Sequence, residues 1–414
     1  MRRTLVIEKL VPGGLGLARL GEGVALVRGA LPGEEVVAEL RRRKNHYEGA
    51  AVEVLRPSPD RVERPLPPTA DLPLRYPAQL EVKAGFVEES LRRVAGLTAP
   101  IAPIAPSPRE LGYRTAAQYV YLPTGGLGYR RPGGREPVGL EADPLVAEPV
   151  EAARRLLSSW PLVDVSEVAI KASLREGRAL AALVGASPGR LKRAAQALVE
   201  SGLAGIWWAA PDPRGRFRGR LAHLTGKAIL MEDFGGVLAP VDPVSFSQVN
   251  PLAAGALYRE AAILAGEGAR AVELYAGVGV LSLHLAPRFH QVQAVEINAR
   301  SVQLGSKNAR KQGVANLSFV RDDAKNLTRF LPADLVALDP PRAGLAREMR
   351  KTLVEEGPEK LLYIACDPAT WARDVGELVR AGGYRLEFAR PYDFFPYTHH
   401  VEVLSLLTRE GGSR

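Results

Sequence analysis

Alternation of apolar and polar positions dominates the start of the chain. Leu5-Val6-Ile7-Glu8-Lys9-Leu10, Gly23–Val27, Glu35–Leu40 and Gly49–Leu55 each read as a short strand, separated by the glycine turns Gly13-Gly14-Leu15-Gly16 and Leu31-Pro32-Gly33-Glu34. Short strands joined this way predict a small β-barrel over residues 1–57. After a Pro- and Arg-rich linker, Arg56 to Tyr76, the period lengthens. Leu80, Ala84, Val87, Leu91 and Val94 share one face of a helix predicted over about 79–96. Residues 58–240 otherwise mix strand patterns (Tyr113–Leu122, Val168–Leu174, Ala179–Val184, Gly205–Ala209) with a helix at Pro188–Ser201, which predicts an α+β domain. From Val241 onward strands and helices alternate, the signature of a Rossmann-like, doubly wound sheet over 241–414. Arg385–Arg390 and Val401–Leu407 predict a terminal hairpin. The expected whole is a multidomain α/β protein.

The last region gathers polar residues where its strands end. Ala271–Tyr275 runs into Ala276-Gly277-Val278-Gly279, and Val292–Val295 into Glu296. Leu317–Val320 runs into Arg321-Asp322-Asp323, Asp334–Leu338 into Asp339-Pro340-Pro341-Arg342, and Leu361–Ala365 into Cys366-Asp367-Pro368, with a helix expected from Thr370. In open α/β sheets ligands bind along that edge. Gly277 and Gly279 permit close backbone approach, and Glu296 follows at the spacing at which a carboxylate accepts ribose hydroxyls. The turn lacks the third glycine of a dinucleotide fingerprint and the Gly-Lys-Ser/Thr of a phosphate loop. S-adenosylmethionine therefore fits better than NAD or ATP. Glu402 sits between Val401 and Val403. A carboxyl buried there has a raised pKa, as a general base near neutrality requires, whereas one at a strand edge simply faces water. Cys366 is open to two readings: a small buried hydrophobe, or a reactive thiol at a ligand-binding edge.

Charge and cysteine usage narrow the classes. Lys and Arg total 55 against 46 Asp and Glu, a net charge of +9 that favours polyanionic partners. Arg41, Arg42, Arg43 and Lys44, followed by Tyr47, suit a phosphate backbone with a ring for base stacking, or form a solvated basic loop. Arg214, Arg216, Arg218 and Arg220 alternate and would share a face if extended. Cys366 is the single cysteine, which excludes an intramolecular disulfide and a cysteine-ligated metal or iron–sulfur centre within the chain. His399 and His400 are adjacent and would point oppositely on a strand, so no metal is expected. No leader or long apolar segment is visible, so no membrane and a cytoplasmic location are expected.

The first strands resemble a TRAM domain, an OB-like RNA-binding module, through Gly14-Leu15-Gly16-Leu17-Ala18, Val27 and Leu31-Pro32-Gly33-Glu34-Glu35-Val36. The C-terminal half closely resembles the S-adenosylmethionine-dependent RNA uracil-5 methyltransferases. The resemblance lies in Phe246-Ser247-Gln248-Val249-Asn250, Glu273 to Gly279, Val295-Glu296-Ile297-Asn298, Asp339 to Gly344, Ala365 to Thr370 with Ala372-Arg373-Asp374, and Phe395-Pro396 to Glu402. It implies Cys366 as nucleophile and Glu402 as base, with Asp339 near the methionine moiety or target base. Gln248, Tyr275, Gly277, Glu296 and Asp323 would line the cofactor site. Many members hold an iron–sulfur cluster in the stretch matching Thr69 to Gln79, which here has no cysteine. The resemblance leaves the target open between rRNA and tRNA and leans to 23S rRNA, because the TRAM-like module is commoner in the rRNA members; a monomer is expected. A cytosine-5 methyltransferase would use two cysteines, and Arg342 replaces the aromatic residue of amino methyltransferases. A non-catalytic RNA-binding or assembly factor would have no need of both Cys366 and Glu402.

Overall fold

The computed structural model describes residues 1–409 apart from 22, 123, 131–135, 186, 214 and 216. Arg214 and Arg216, two of the four alternating arginines, thus lie outside the described residues.

The N-terminal six-stranded sheet curls into a barrel-like form, in the order Arg2–Val6, Glu35–Arg42, Tyr47–Arg56, Gly23–Arg28, Leu15–Leu20, Lys9–Val11. Alternate residues Leu5, Ile7, Ala25, Val27, Val36, Ala38 and Leu40 fill it. Two expectations change here. The single strand expected over Leu5–Leu10 is two strands broken at Ile7-Glu8. Arg41 and Arg42 extend a strand instead of lying in a loop, and Tyr47 is only 6% exposed within the barrel core. Strand pairing of Arg42 with Tyr47 turns that ring inward, so it is not a stacking platform.

The predicted helix is Tyr76–Ser90, continued by a π-helical turn Leu91–Ala95 and closed by Gly96 in the left-handed region (φ +66°). Its buried face carries Gln79, Lys83, Phe86 and Val87, while Val94 is 46% exposed. The wider turn rotates Val94 off the apolar stripe, and Gln79 and Lys83 are buried because they find polar partners. The central seven-stranded sheet packs the helices Glu148–Ser158, which the sequence reading missed, and Pro188–Glu200 around Tyr119, Ile170, Ala181, Leu183 and Trp208.

The C-terminal sheet runs Leu317–Arg321, Phe289–Glu296, Gly268–Leu274, Leu335–Leu338, Lys360–Ala365, Glu402–Thr408, Arg385–Tyr392. All its pairings are parallel except those of Glu402–Thr408, which is antiparallel to both neighbours. Pro251–Ala265 and Val280–Leu285 cover one face; Arg347–Glu356, Pro368–Gly382 and the π-turn cover the other. The helix after Cys366 begins at Pro368 instead of Thr370, because Asp367 is the N-cap and accepts from the Thr370 N–H at 2.8 Å. No helix among the described residues is long and apolar enough to cross a membrane.

Candidate active site

Strand alternation assembles the site. Ala271, Leu335, Ala337, Leu362, Ile364 and Leu404 face the core under Pro251–Ala265, and Val272, Val336, Leu338, Leu361, Tyr363 and Val403 face the opposite one. Continuing that period of two puts Glu273, Asp339, Cys366 and Glu402 on one face of the sheet. Ala365 pairs with Val403, so Cys366 and Glu402 are next in register across adjacent strands. The antiparallel course of Glu402–Thr408 brings the start of that strand to the edge where the parallel strands end.

Burial sets the protonation of these groups, and neighbouring charges add to it at Glu402 and Cys366. Burial pushes Asp339 up to about 7. Burial, and then the charge of Asp339, push Glu402 up to about 8, with Arg342 pulling the other way. The Cys366 thiol is pushed up to about 12 by burial and by the carboxylates of Glu402 and Asp339, against the pull of Arg342. Arg342 itself is exposed and contacts the His400 ring at 3.0 Å.

Beside the acids lies a narrow cleft, lined by Phe246, Ser247, Gln248, Tyr258, Glu273, Tyr275, Gly277 and Asp339 among others. Tyr275, Gly277 and Gly279 take positive φ angles (+63°, +56°, +76°) at the end of Gly268–Leu274. A Cβ on Gly279 would lie 2.5 Å from the Phe319 ring, whereas one on Gly277 would meet nothing within 4 Å. Gly279 is therefore required for packing, and Gly277 leaves the approach to the cleft open. Glu296 accepts from the Gly277 N–H at 3.0 Å and the Asn298 N–H at 2.7 Å, which ties the turn to the next strand.

The structure thus brings Gln248, Tyr275, Gly277 and Asp339 into one cleft, with Glu296 hydrogen-bonded to its glycine turn. Asp323 is not in the cleft lining; it caps the following helical turn, accepting from the Lys325 N–H at 3.0 Å, while its neighbour Asp322 is engaged with Asn326 and Arg329. Cys366 and Glu402 adjoin the cleft through Asp339 and are not in its lining. Arg41 to Lys44 are exposed on the barrel and are not in the cleft lining; Arg41 and Arg43 line a surface groove with Arg2, Arg28, Glu39 and Glu48. His399 is held by Asp71, and among the described residues no His/Cys/Asp/Glu group could hold a metal ion.

Two site residues escaped the sequence reading. Glu273 is 4% exposed, pushed up to about 8 by burial, and accepts a hydrogen bond from the Ser282 hydroxyl. A Glu within Ala271-Val272-Glu273-Leu274 carries the same signal that singled out Glu402. Tyr258 is buried on its helix next to Gln248 and had no such signal.

The cleft fits an adenosyl sulfonium ligand: it has an open glycine turn, an acid at its reacting end, and a buried Ser247 hydroxyl without a partner among the described residues. A doubly wound sheet with this cleft defines an S-adenosylmethionine-dependent methyltransferase. Residues 244–410 match the family described as tRNA (Uracil-5-)-methyltransferase. An uncharacterized RNA methyltransferase of Gloeobacter violaceus is 33% identical over 451 residues, covering 98% of this chain and 96% of its own. One from Thermosynechococcus vestitus is 32% identical over 438 residues, covering 98% and 97%. The crystal structure of Pyrococcus abyssi tRNA (uracil-54, C5)-methyltransferase in complex with S-adenosyl-L-homocysteine superposes with a TM-score of 0.79 at 25% identity, over 98% of this chain and 100% of that one. The chain belongs to the RNA uracil-5 methyltransferase family; it uses S-adenosylmethionine and acts on RNA.

Proposed function

We propose that this protein, acting as a monomer, converts one uridine of 23S rRNA to 5-methyluridine through a covalent adduct between Cys366 and C6 of the base. The observation that carries the chemistry is the placement of Cys366 and Glu402 in adjacent register on one face of the sheet, next to Asp339 and the cleft. Uracil C5 is a weak nucleophile. The Cys366 thiol gives its proton to solvent, and the thiolate adds to C6, forming the C–S bond and leaving an enolate. S-adenosylmethionine, when bound in the cleft, supplies the electrophilic methyl and a positive charge. C5 takes that methyl, forming a C–C bond as the sulfonium S–C bond breaks. The Glu402 carboxylate then removes the C5 proton, and the C–H electrons restore the C5–C6 double bond as Cys366 leaves. A base within a helix cannot reach this edge, so the target uridine has to leave its stack.

The barrel-like sheet and the basic face around Arg41 and Arg43 support a structured rRNA target. A second reading, a tRNA uridine, is favoured by the likeness to the Pyrococcus abyssi tRNA enzyme, which extends over 98% of this chain and so includes the barrel. Transfer of labelled methyl from S-adenosylmethionine to rRNA and tRNA from a strain lacking the protein separates the two. Label in 5-methyluridine of 23S rRNA alone supports the proposal; label in tRNA alone replaces it with the second reading. No transfer at RNA concentrations that saturate binding would leave a non-catalytic RNA-binding factor.

A further inference from the structure

The connection 393–401 joins Arg385–Tyr392 to the strand that begins with Glu402, and it has no helix or strand of its own. It is nonetheless buried, and Tyr397 within it is 2% exposed with φ at +64°, a conformation that costs a non-glycine residue on the order of 1 kcal/mol or more. Such a segment persists only when its surroundings over-determine it.

The surroundings that do so lie more than three hundred residues upstream. The Lys83 ammonium donates to Asp393 Oδ1 at 2.6 Å and to the Phe395 carbonyl at 2.9 Å, with both side chains of the ion pair fully buried. Gln79 Oε1 accepts from the strained Tyr397 N–H at 2.6 Å, and the Tyr397 carbonyl accepts from Leu72 N–H at 3.0 Å. Asp71 accepts from the His399 N–H at 2.8 Å and pairs with His399 Nδ1 at 2.5 Å. The barrel closes the far side: a Cβ on Gly14 would lie 3.0 Å from His399 Cβ. Downstream of these grips come His400, against Arg342, and then Glu402.

We propose that Asp71, Gln79 and Lys83 are positioning residues that hold the 393–401 connection so that Glu402 meets the C5 proton. This rests on the reading of Glu402 as the base. The predicted defect is specific: the adduct still forms and still takes the methyl, but its breakdown slows, because only that step needs Glu402. A residue that merely stabilised the fold would lower every step or none.

The test is the lifetime of the denaturation-resistant protein–RNA adduct in a single turnover with labelled S-adenosylmethionine. Glu402→Gln sets the reference for a lost base. Gln79→Leu and Asp71→Ala are each expected to accumulate adduct with breakdown about ten-fold slower than wild type, while adduct formation and donor affinity stay within about two-fold. Asp71→Asn keeps an oxygen to accept from the His399 N–H and can donate its amide N–H to Nδ1 of the other imidazole tautomer, and it is expected to restore breakdown. Unchanged adduct lifetime in both variants overturns the proposal. So does a loss of donor or RNA affinity without accumulation, or an Asp71→Asn variant as slow as Asp71→Ala. If Glu402→Gln itself accumulates nothing, the base assignment falls, and the positioning role with it.

Discussion

At the scale of single residues, the site is a set of acids that burial keeps protonated, with the charge of Asp339 adding to the effect at Glu402. With Glu402 pushed up to about 8, its basic form is filled only as pH rises through that value. The single-turnover rate of adduct breakdown is therefore expected to climb between about pH 6 and about pH 9, and a flat profile would count against Glu402 as base. Cys366→Ala is expected to abolish transfer, by at least about a thousand-fold, while donor binding measured by calorimetry stays near wild type. The same shifts make the site a stability cost. Glu402 and Asp339 have folded-state pKa values above their ordinary 4.5 and 3.8, so the folded state holds extra protons. Stability is then greatest below the ordinary values and falls as pH rises through about 7 to about 8. Glu402→Gln should raise the melting temperature of the free protein by roughly 3 °C or more near pH 9, and by less near pH 5. Cys366 and Glu402 were legible because each breaks its local pattern: the only cysteine, and a charge inside an apolar strand. Glu273 breaks the pattern in the same way and was passed over, since the neighbouring glycine turn drew the reading of that segment. Tyr47 was misread because a ring beside four cations looks like a stacking group until strand pairing fixes which way it points.

At the scale of elements, strand alternation alone predicted which strands end at the site, but not their spatial order or the antiparallel course of Glu402–Thr408. Order and direction are set by pairings between distant segments, which leave no local trace. The buried face of the helix was legible only in part, at Val87 and Leu91, for a related reason. Gln79 and Lys83 read as solvent-facing until their partners, Tyr397 and Asp393, are in place. Gly279 shows the opposite case, a local signal with a single structural meaning. Gly279→Ala adds a Cβ against Phe319 and forces a side chain into φ +76°. It is expected to destabilise the protein by about 1–3 kcal/mol and to weaken donor binding at least ten-fold, read by denaturant titration and calorimetry. Gly277→Ala, with open space around its Cβ, should leave stability closer to wild type while still impairing donor binding.

At the scale of the whole molecule, the excess of positive charge is a property of the RNA encounter. Arg41, Arg42, Arg43 and Lys44 stand exposed at one end of the barrel. Replacing all four with Ala should weaken RNA binding and shallow its salt dependence, by about 0.7–0.9 in log–log slope for each phosphate left unneutralised. The rate of methyl transfer from the saturated complex should change far less than the affinity, because none of the four is among the groups that shift Cys366 or Glu402. An unchanged slope would remove them from the interface.

The helix Tyr76–Ser90 and its π-turn belong by position to the first quarter of the chain, yet they seal one face of the last sheet against Trp371, Val375 and Leu378. The catalytic unit is therefore discontinuous. A fragment cut at residue 241 would expose the apolar side of Pro368–Gly382 and leave Asp393 without its cation. Expressed alone it should aggregate, whereas supplying residues 58–111 as a separate peptide should recover soluble material. Grafting this catalytic sheet onto another RNA-binding module would have to carry that upstream helix along with it.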